Sequence, residues 1–416
     1  MMYLIINKYL TLFLLLFFLT FISCSAQPNF KLGNERLIDE EIELIRDKKV
    51  GIVINHTSVL SNGTYLVDTL IFLKICDIQT IFTPEHDLFG DVEAGKLVES
   101  KVRYYRGIPV KSLYGKNKKP LQKDVKDLDV ILYDIQDIGA RFYTYISTMY
   151  YCMEAVVENN KKIIVTDRPN VLGGARFDGP LLDSNFKSFI GIDKIPVIYG
   201  MTIGELALYF NESILESKGK KADLSVIKME GYQRDTDPKI YFNNWINPSP
   251  NIPNIETTQI YPATCFIEGT NVSEGRGTNK PFLQIGAPFI NSAELLSELG
   301  KFKLDGLQLT SAEFTPVKMK SASSPKYENE ICYGIEFKIT DHKKLDHMKI
   351  MIVLIKSLLK LYPDKYEFKE SHFNLLSGTD SLIKKIKAGL SVEEIRSGWQ
   401  KNLKLYSEKR KKNLLY

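Results

Sequence analysis

Four short stretches of this 416-residue chain concentrate side chains that can do chemistry. They are Asn55-His56-Thr57, Thr83-Pro84-Glu85-His86-Asp87, the run from Asp134 through Gln136 and Asp137 to Arg141, and Asp167-Arg168-Pro169-Asn170. Each follows a short apolar, β-branched run, so each reads as chain leaving the carboxyl end of a buried strand. Ligands of open α/β sheets bind at that edge. Bland loops favour Lys, Ser and Gly, whereas these four deliver carboxylate, imidazole, guanidinium and amide groups together. Several chemistries are excluded. There is no G-x-G-x-x-G after the first strand and no G-x-x-x-x-G-K-[ST], so neither a dinucleotide nor a P-loop nucleotide is expected. The absence of G-x-S-x-G weakens a serine hydrolase. His56 and His86 sit on separate loops without ligand spacing, which makes a metal centre a poor reading, and no cofactor is expected. Carboxylates with Arg, Tyr and Asn remain, the equipment of glycoside hydrolysis.

Bringing these stretches to one edge requires a parallel sheet. Continuous apolar runs predict strands at 50–54, 80–82, 130–133, 163–166 and 224–228. Helical periodicity predicts helices at 65–76, 144–157 and 202–214, the last with Thr202 as N-cap and Glu205 at the capping-box offset. Strands alternating with helices are the pattern of βαβ units. Residues 235–285 are rich in Pro, Asn, Gly and Thr and read as a long irregular, functional stretch. Beyond about 290 the pattern becomes α+β, with a helix at 292–299, strands near 307–309 and 333–339, and mainly helix to the terminus. The expected division is therefore a leader at 1–23, an α/β domain at 24–285 and a smaller α+β domain at 286–416.

Composition agrees with a folded protein: 44% of residues are hydrophobic and 25% charged. The net charge of +5 is local, because residues 401–416 carry six basic side chains and one acidic. With Lys8 set aside, the rest sums to about −1, so there is no basic footprint for nucleic acid. Residues 1–23 read as a signal peptide, Lys8 preceding an apolar run at 10–22 that is too short to span a bilayer. The run ends in Phe21-Ile22-Ser23-Cys24, which resembles a bacterial lipobox with Phe21 where leucine is usual. Export is expected, with lipidation at Cys24 and anchoring on the periplasmic side of a membrane, as in outer-membrane lipoproteins. The other cysteines (Cys76, Cys152, Cys265, Cys332) have neither metal nor disulfide-framework spacing and read as buried thiols.

The same stretches carry a family resemblance. GIVINH from Gly51, TPEHDLFG from Thr83, YDIQDIGARFYTY from Tyr133, TDRPN from Thr166, PVIYGMT from Pro196, EGTNVSEGRGT from Glu268 and the closing LLY resemble the bacterial DUF1343 (NamZ) family, glycoside hydrolase family 171. Its characterised members are exo-β-N-acetylmuramidases. The resemblance covers essentially the whole mature chain. It implies a Rossmann-like larger subdomain, a smaller C-terminal subdomain and a cleft between them. The implied activity is release of N-acetylmuramic acid from the non-reducing end of peptidoglycan fragments. Where many relatives have Gly after Pro-Glu-His, this chain has Asp87.

Within that frame Glu85 is the expected general acid, since rigid backbone and desolvation suit a proton donor. Asp134 and Asp137 are candidates for the second catalytic group, or for structural ion pairs with Arg141. Alternatively the substrate's 2-acetamido group participates. Arg141, Tyr143 and Tyr145 are expected in the binding wall, with Arg141 on the lactyl carboxylate of muramic acid and Arg168 and Arg276 competing for that role. Asn55 and Asp167 are further substrate-binding candidates. Asn271, Ser273, Glu274 and Arg276 lie in a glycine-flanked stretch that reads as a loop over ligand or as a self-bonded turn. His56 and His86 orient carboxylates, bond sugar hydroxyls or are structural. The competing function is a non-catalytic envelope lipoprotein that binds cell-wall sugars.

Overall fold

The computed structural model describes residues 30–93, 95, 103–242 and 244–416. The leader and Cys24 lie outside the described residues. The larger subdomain contains seven strands: β1 (Lys49–Ile54), β2 (Asp77–Thr83), β3 (Arg103–Tyr105), β4 (Ile108–Ser112), β5 (Val130–Asp134), β6 (Lys162–Thr166) and β7 (Asp223–Ile227). They form one sheet in the order β3-β4-β2-β1-β5-β6-β7, parallel except for the β3–β4 pair at one edge. The continuous apolar runs are explained by burial on both faces. Every residue of β5, Val-Ile-Leu-Tyr-Asp, is buried.

Alternation along the strands divides the packing. Val53, Ile131, Tyr133, Ile163 and Val165 pack with residues of helices α4 (Tyr145–Asn159) and α5 (Ile203–Lys218). Val50, Ile52, Ile54, Val130, Leu132 and Ile164 pack with residues of α1 (Gly33–Asp39) and α2 (Leu66–Leu73). The capping box at Thr202 and Glu205 is present and starts α5. The β3–β4 hairpin and the one-turn helix α3 (Gln122–Val125) were not expected. Both are short and polar, and β3–β4 is an edge where burial leaves no apolar signature.

The second part begins with α6 (Ile255–Thr264), capped by Asn254, inside the stretch expected to be irregular. It continues through β8 (Gln284–Ala287), α7 (Ser292–Leu299), β9 (Leu307–Phe314) and β10 (Cys332–Ile339), which make an antiparallel sheet in the order β8-β10-β9. Four helices follow: α8 (His347–Leu361), α9 (Glu370–Ser377), α10 (Ser381–Lys387) and α11 (Val392–Lys411). The expected boundary at 285/286 therefore falls inside β8. One apolar cluster runs from Ile146 and Phe210 through Phe266 to Ile352 and Trp399, so the two subdomains share a core.

Candidate active site

The sheet order reverses between β1 and β5, β1 leading out to β2 on one side and β5 to β6 on the other. That switch point opens a crevice at the carboxyl ends of the strands. Glu85, just past β2, is buried there, 7% exposed. Its Oε1 accepts a hydrogen bond from the Gly95 N–H at 2.9 Å, and its Oε2 meets the Thr144 hydroxyl at 2.6 Å. Tyr114 stands beside it; burial and the Glu85 carboxylate push the Tyr114 phenol pKa up. The turn after Glu85 is strained. His86 and Asp87 have φ of 74° and 64°, a left-handed conformation that costs about 1 kcal/mol or more per non-glycine residue. The family's glycine at the second position thus has a backbone reason. In this chain the Thr83 hydroxyl donates to Asp87 Oδ1 at 3.2 Å. The His86 ring is held through Nδ1 to the Val92 carbonyl at 2.6 Å. Burial lowers its pKa, with Glu85 opposing and Arg276 reinforcing the shift, so both charges are close enough to act on His86.

Tyr143 and Tyr145 meet edge to face at 4.9 Å, and Glu85 acts through space on both phenols. The Tyr145 hydroxyl is bonded to the Pro248 carbonyl, and His56 Nε2 to the Asn247 carbonyl. Among the described residues, three buried polar atoms in this neighbourhood make no well-formed hydrogen bond: Asn55 Nδ2, His56 Nδ1 and the Tyr143 hydroxyl, although Asn55 stands close to the Tyr145 phenol and Ser249 to that of Tyr143. Such groups are what a bound, polyhydroxylated ligand satisfies. Asp137 is anchored through Oδ2 by the Tyr199 hydroxyl and by the Gly139 N–H at 2.7 Å, while its buried Oδ1 makes no well-formed hydrogen bond among the described residues. Burial pushes its pKa up to about 7, against the pull of Tyr199 and of the Gly139 and Ile138 N–H groups.

Five expected assignments are corrected. Asp134 is fully buried and paired bidentately with Arg168 at 2.6 and 2.8 Å; Thr166 and Asn34 also donate to it. With both oxygens occupied, Asp134 is no nucleophile or base, and Arg168 is not free for a substrate carboxylate. Arg141 is also fully buried. It donates to the carbonyls of Pro180, Ile195 and Leu376 at 2.8, 2.9 and 2.9 Å, rather than to a carboxylate. Burial lowers its pKa to about 9. Asp167 accepts from the Thr202 hydroxyl, Gly204 N–H, Arg168 N–H and Tyr416 hydroxyl. It therefore fastens the start of α5 and the last residue of the chain, and burial pushes its pKa up to about 7. Asn271 clasps Lys365 and Glu367 at 2.7 and 2.9 Å.

The turn that follows α6 comes near this edge, Arg276 acting through space on His86. Ser273 pairs with Gly286 through its backbone and caps Gly275 at 3.2 Å. Arg276 donates to Glu268 at 2.6 and 3.0 Å and lies over the Phe282 ring at 5.1 Å. Glu274 is paired with Lys326 at 3.0 Å and with Arg276 at 3.4 Å. Burial alone would raise the Glu268 pKa, but Arg276 and His372 hold it down at about 2. Thr144, Tyr114, Tyr199, Glu268 and Lys326 were not singled out in the sequence. Thr144, Tyr199 and Glu268 stand inside the shared motifs, so a signal existed. Lys326 and Tyr114 stand outside them.

A glutamate held at the switch point of a doubly wound sheet, in a sequence without the phosphate-binding motifs, suits a hydrolase better than a nucleotide-binding protein. The chain belongs to the NamZ family: the family models described as exo-β-N-acetylmuramidase NamZ, N-terminal and C-terminal, match residues 50–256 and 259–416. A Bacillus subtilis protein named peptidoglycan β-N-acetylmuramidase NamZ is 40% identical over 393 residues, 94% of this chain and 92% of the relative. Two crystal structures of DUF1343-family proteins from Bacteroides fragilis are similar in fold. One has a TM-score of 0.84 at 32% identity, covering 94% of this chain and 100% of the other. The second has a TM-score of 0.73 at 32% identity, with 93% and 99% covered.

Proposed function

We propose that this chain is an exo-β-N-acetylmuramidase, releasing N-acetylmuramic acid from the non-reducing end of peptidoglycan fragments in cell-wall turnover. The observation that carries this reading is Glu85, buried at the sheet edge between a backbone N–H and a rotatable hydroxyl. Family membership supplies the substrate class. In this reading Glu85 protonates the leaving glycosidic oxygen. Asp137, with one oxygen free of well-formed hydrogen bonds and a raised pKa, is the carboxyl group left for the second role once Asp134 and the doubly paired Glu274 are set aside. Arg141 and Arg168 are sequestered, the latter with 4% of its side chain exposed; Arg276 is paired too, but it keeps 19% exposure and an Nη1 not used on Glu268, and it takes the lactyl carboxylate. Asn55 Nδ2, His56 Nδ1 and the Tyr143 hydroxyl bond the sugar. A non-catalytic sugar binder has no use for a glutamate held this way.

The experiment is incubation with a synthetic MurNAc glycoside and its GlcNAc counterpart. Aglycone release from the first and little from the second is expected; release from neither ends the reading. We also propose that the chain is exported and lipidated at Cys24, on the periplasmic side of a membrane, probing which needs only fractionation and a mass measurement. A wholly soluble mature protein with no mass added at Cys24 removes that proposal.

A further inference from the structure

Away from the cleft, a cavity of about 530 Å³ lies between residues 180–194 of the larger subdomain and residues of α10 and α11. Ligand sites favour such positions between domains and such volumes. Its wall carries three ammonium groups, Lys187, Lys194 and Lys385, against two carboxylates, Asp183 and Asp193. One ammonium lies directly against a helix: a Cβ at Gly398 would meet Lys385 Nζ, so the glycine inside α11 lets that charge rest there, and a larger residue would move it aside. Glycine in a helix interior costs about 1 kcal/mol relative to alanine, and packing of the helix alone gives no reason for it. Asp193 has the complementary need: its Oδ2 is buried without a donor. The floor is apolar, including Trp399, whose indole N–H is fixed on Asp178 at 3.1 Å.

Arg141 braces both walls. Its guanidinium binds the carbonyls at the two ends of the first wall, Pro180 and Ile195, and Leu376 just ahead of the second. Gly378 lacks a Cβ where one would strike the guanidinium, and its carbonyl accepts from the Asp183 N–H at 2.8 Å. The fold thus commits a fully buried cation, at a cost in desolvation, to holding this cavity open. Arg141 sits in the same turn as Asp137 and Tyr143, so cavity and cleft share one stretch of chain.

We propose that this cavity is a second binding site that takes a short acidic peptide, its carboxylates on the lysines and an N–H or ammonium group on Asp193. A neutral glycan leaves three ammonium groups unpaired. Inorganic phosphate leaves Asp193 and the apolar floor unused. The proposal rests on the muramidase reading only for the source of such peptides, because in peptidoglycan they are amide-linked to the lactyl carboxyl of muramic acid, whereas Arg276 meets a free lactyl carboxylate only in peptide-free fragments.

The test is isothermal titration of the full chain with the acidic synthetic tripeptide Ala-Glu-Glu, free and amidated at all its carboxyls. One-site binding near or below about 1 mM is expected and is retained in Glu85→Gln, which separates this site from the cleft. Lys385→Gln and amidation each weaken it about tenfold, the scale of a lost charge-assisted hydrogen bond. Gly398→Ala gives a second arm: it raises helix propensity yet displaces the ammonium, so lost binding with an unchanged or higher melting temperature is not misfolding. No saturable signal up to about 10 mM, or binding untouched by both variants, overturns the site. Peptide binding without MurNAc release leaves the site standing and the muramidase reading fallen; release without binding does the reverse.

Discussion

Glu85 can keep the same partners on either side of a proton transfer. The Gly95 N–H only donates, which fixes Oε1 as an acceptor, whereas the Thr144 hydroxyl rotates to donate to an ionised Oε2 or accept from a protonated one. A proton on Oε2 is therefore accommodated without the loss of either partner. Glu85→Gln preserves shape and removes the proton, so kcat should fall by ~10²–10⁴. A nitrophenyl muramide, whose leaving group needs less protonation, should recover part of that loss. Near-native turnover of natural wall fragments by the variant would move the acid elsewhere. Thr144→Val removes the switching hydroxyl at constant volume. We expect kcat to drop about tenfold with KM little changed, the pattern of an interaction used in the transition state, and Thr144→Ser to restore most of it. A drop that serine does not restore would make Thr144 a packing residue. Arg276→Gln should weaken MurNAc glycosides much more than GlcNAc glycosides, which lack the lactyl charge; equal losses would confine Arg276 to its pairing with Glu268.

At the scale of elements, the turn from Asp137 to Tyr145 shows how one loop serves both site and fold. Its tyrosines lie near Glu85, while Arg141 ties three carbonyls distant in sequence. Arg141→Met should cost on the order of 3 kcal/mol in urea-derived stability, because buried carbonyls lose their donors. It should lower turnover of MurNAc and GlcNAc substrates alike. A selective loss on MurNAc would return Arg141 to the binding wall. The sequence shows the loop but not this division of labour, since a backbone carbonyl leaves no mark in sequence. Asp134 and Arg168 are different. They follow adjacent strands in register, Tyr133 opposite Val165, so strand adjacency alone predicts their meeting. The strands themselves were legible because burial on both faces writes a continuous apolar run. The β3–β4 edge and α6 were not, the first for want of burial and the second because Pro262 and the neighbouring Asn and Thr residues mimic a loop. Glu85 was legible as a functional residue from its place after β2; its clasp by Thr144, 59 residues on, was not.

At the scale of the molecule, two buried carboxyl groups tie stability to pH. Asp137 and Asp167 each rise from 3.8 to about 7, burial being the main cause. Below about pH 4 folded and unfolded chains both hold these protons, and the groups contribute no difference. Between there and about 7 the folded chain keeps protons that the unfolded chain has released. Stability is then lost as pH rises, at up to about 1.4 kcal/mol per pH unit for each group. Above that window the loss is complete. His347 opposes them: burial lowers it from 6.5 to about 4, so stability it supports at neutral pH is lost as pH falls through that range. Burial lowers His56 and His86 in the same direction. Glu268, held at about 2, loses its contribution only as pH falls below its ordinary value of 4.5. The wild-type profile blends these opposed slopes, so the informative quantity is a difference between proteins. Asp137→Asn copies the protonated carboxyl, keeping one oxygen for Tyr199 and Gly139 and removing the titration. Its urea-derived stability relative to wild type should climb from about pH 4 to about pH 7 and level off above, following the raised pKa. A difference that stays flat across that range would mean that Asp137 ionises in the folded protein as readily as in water, and that its buried Oδ1 is reached by solvent.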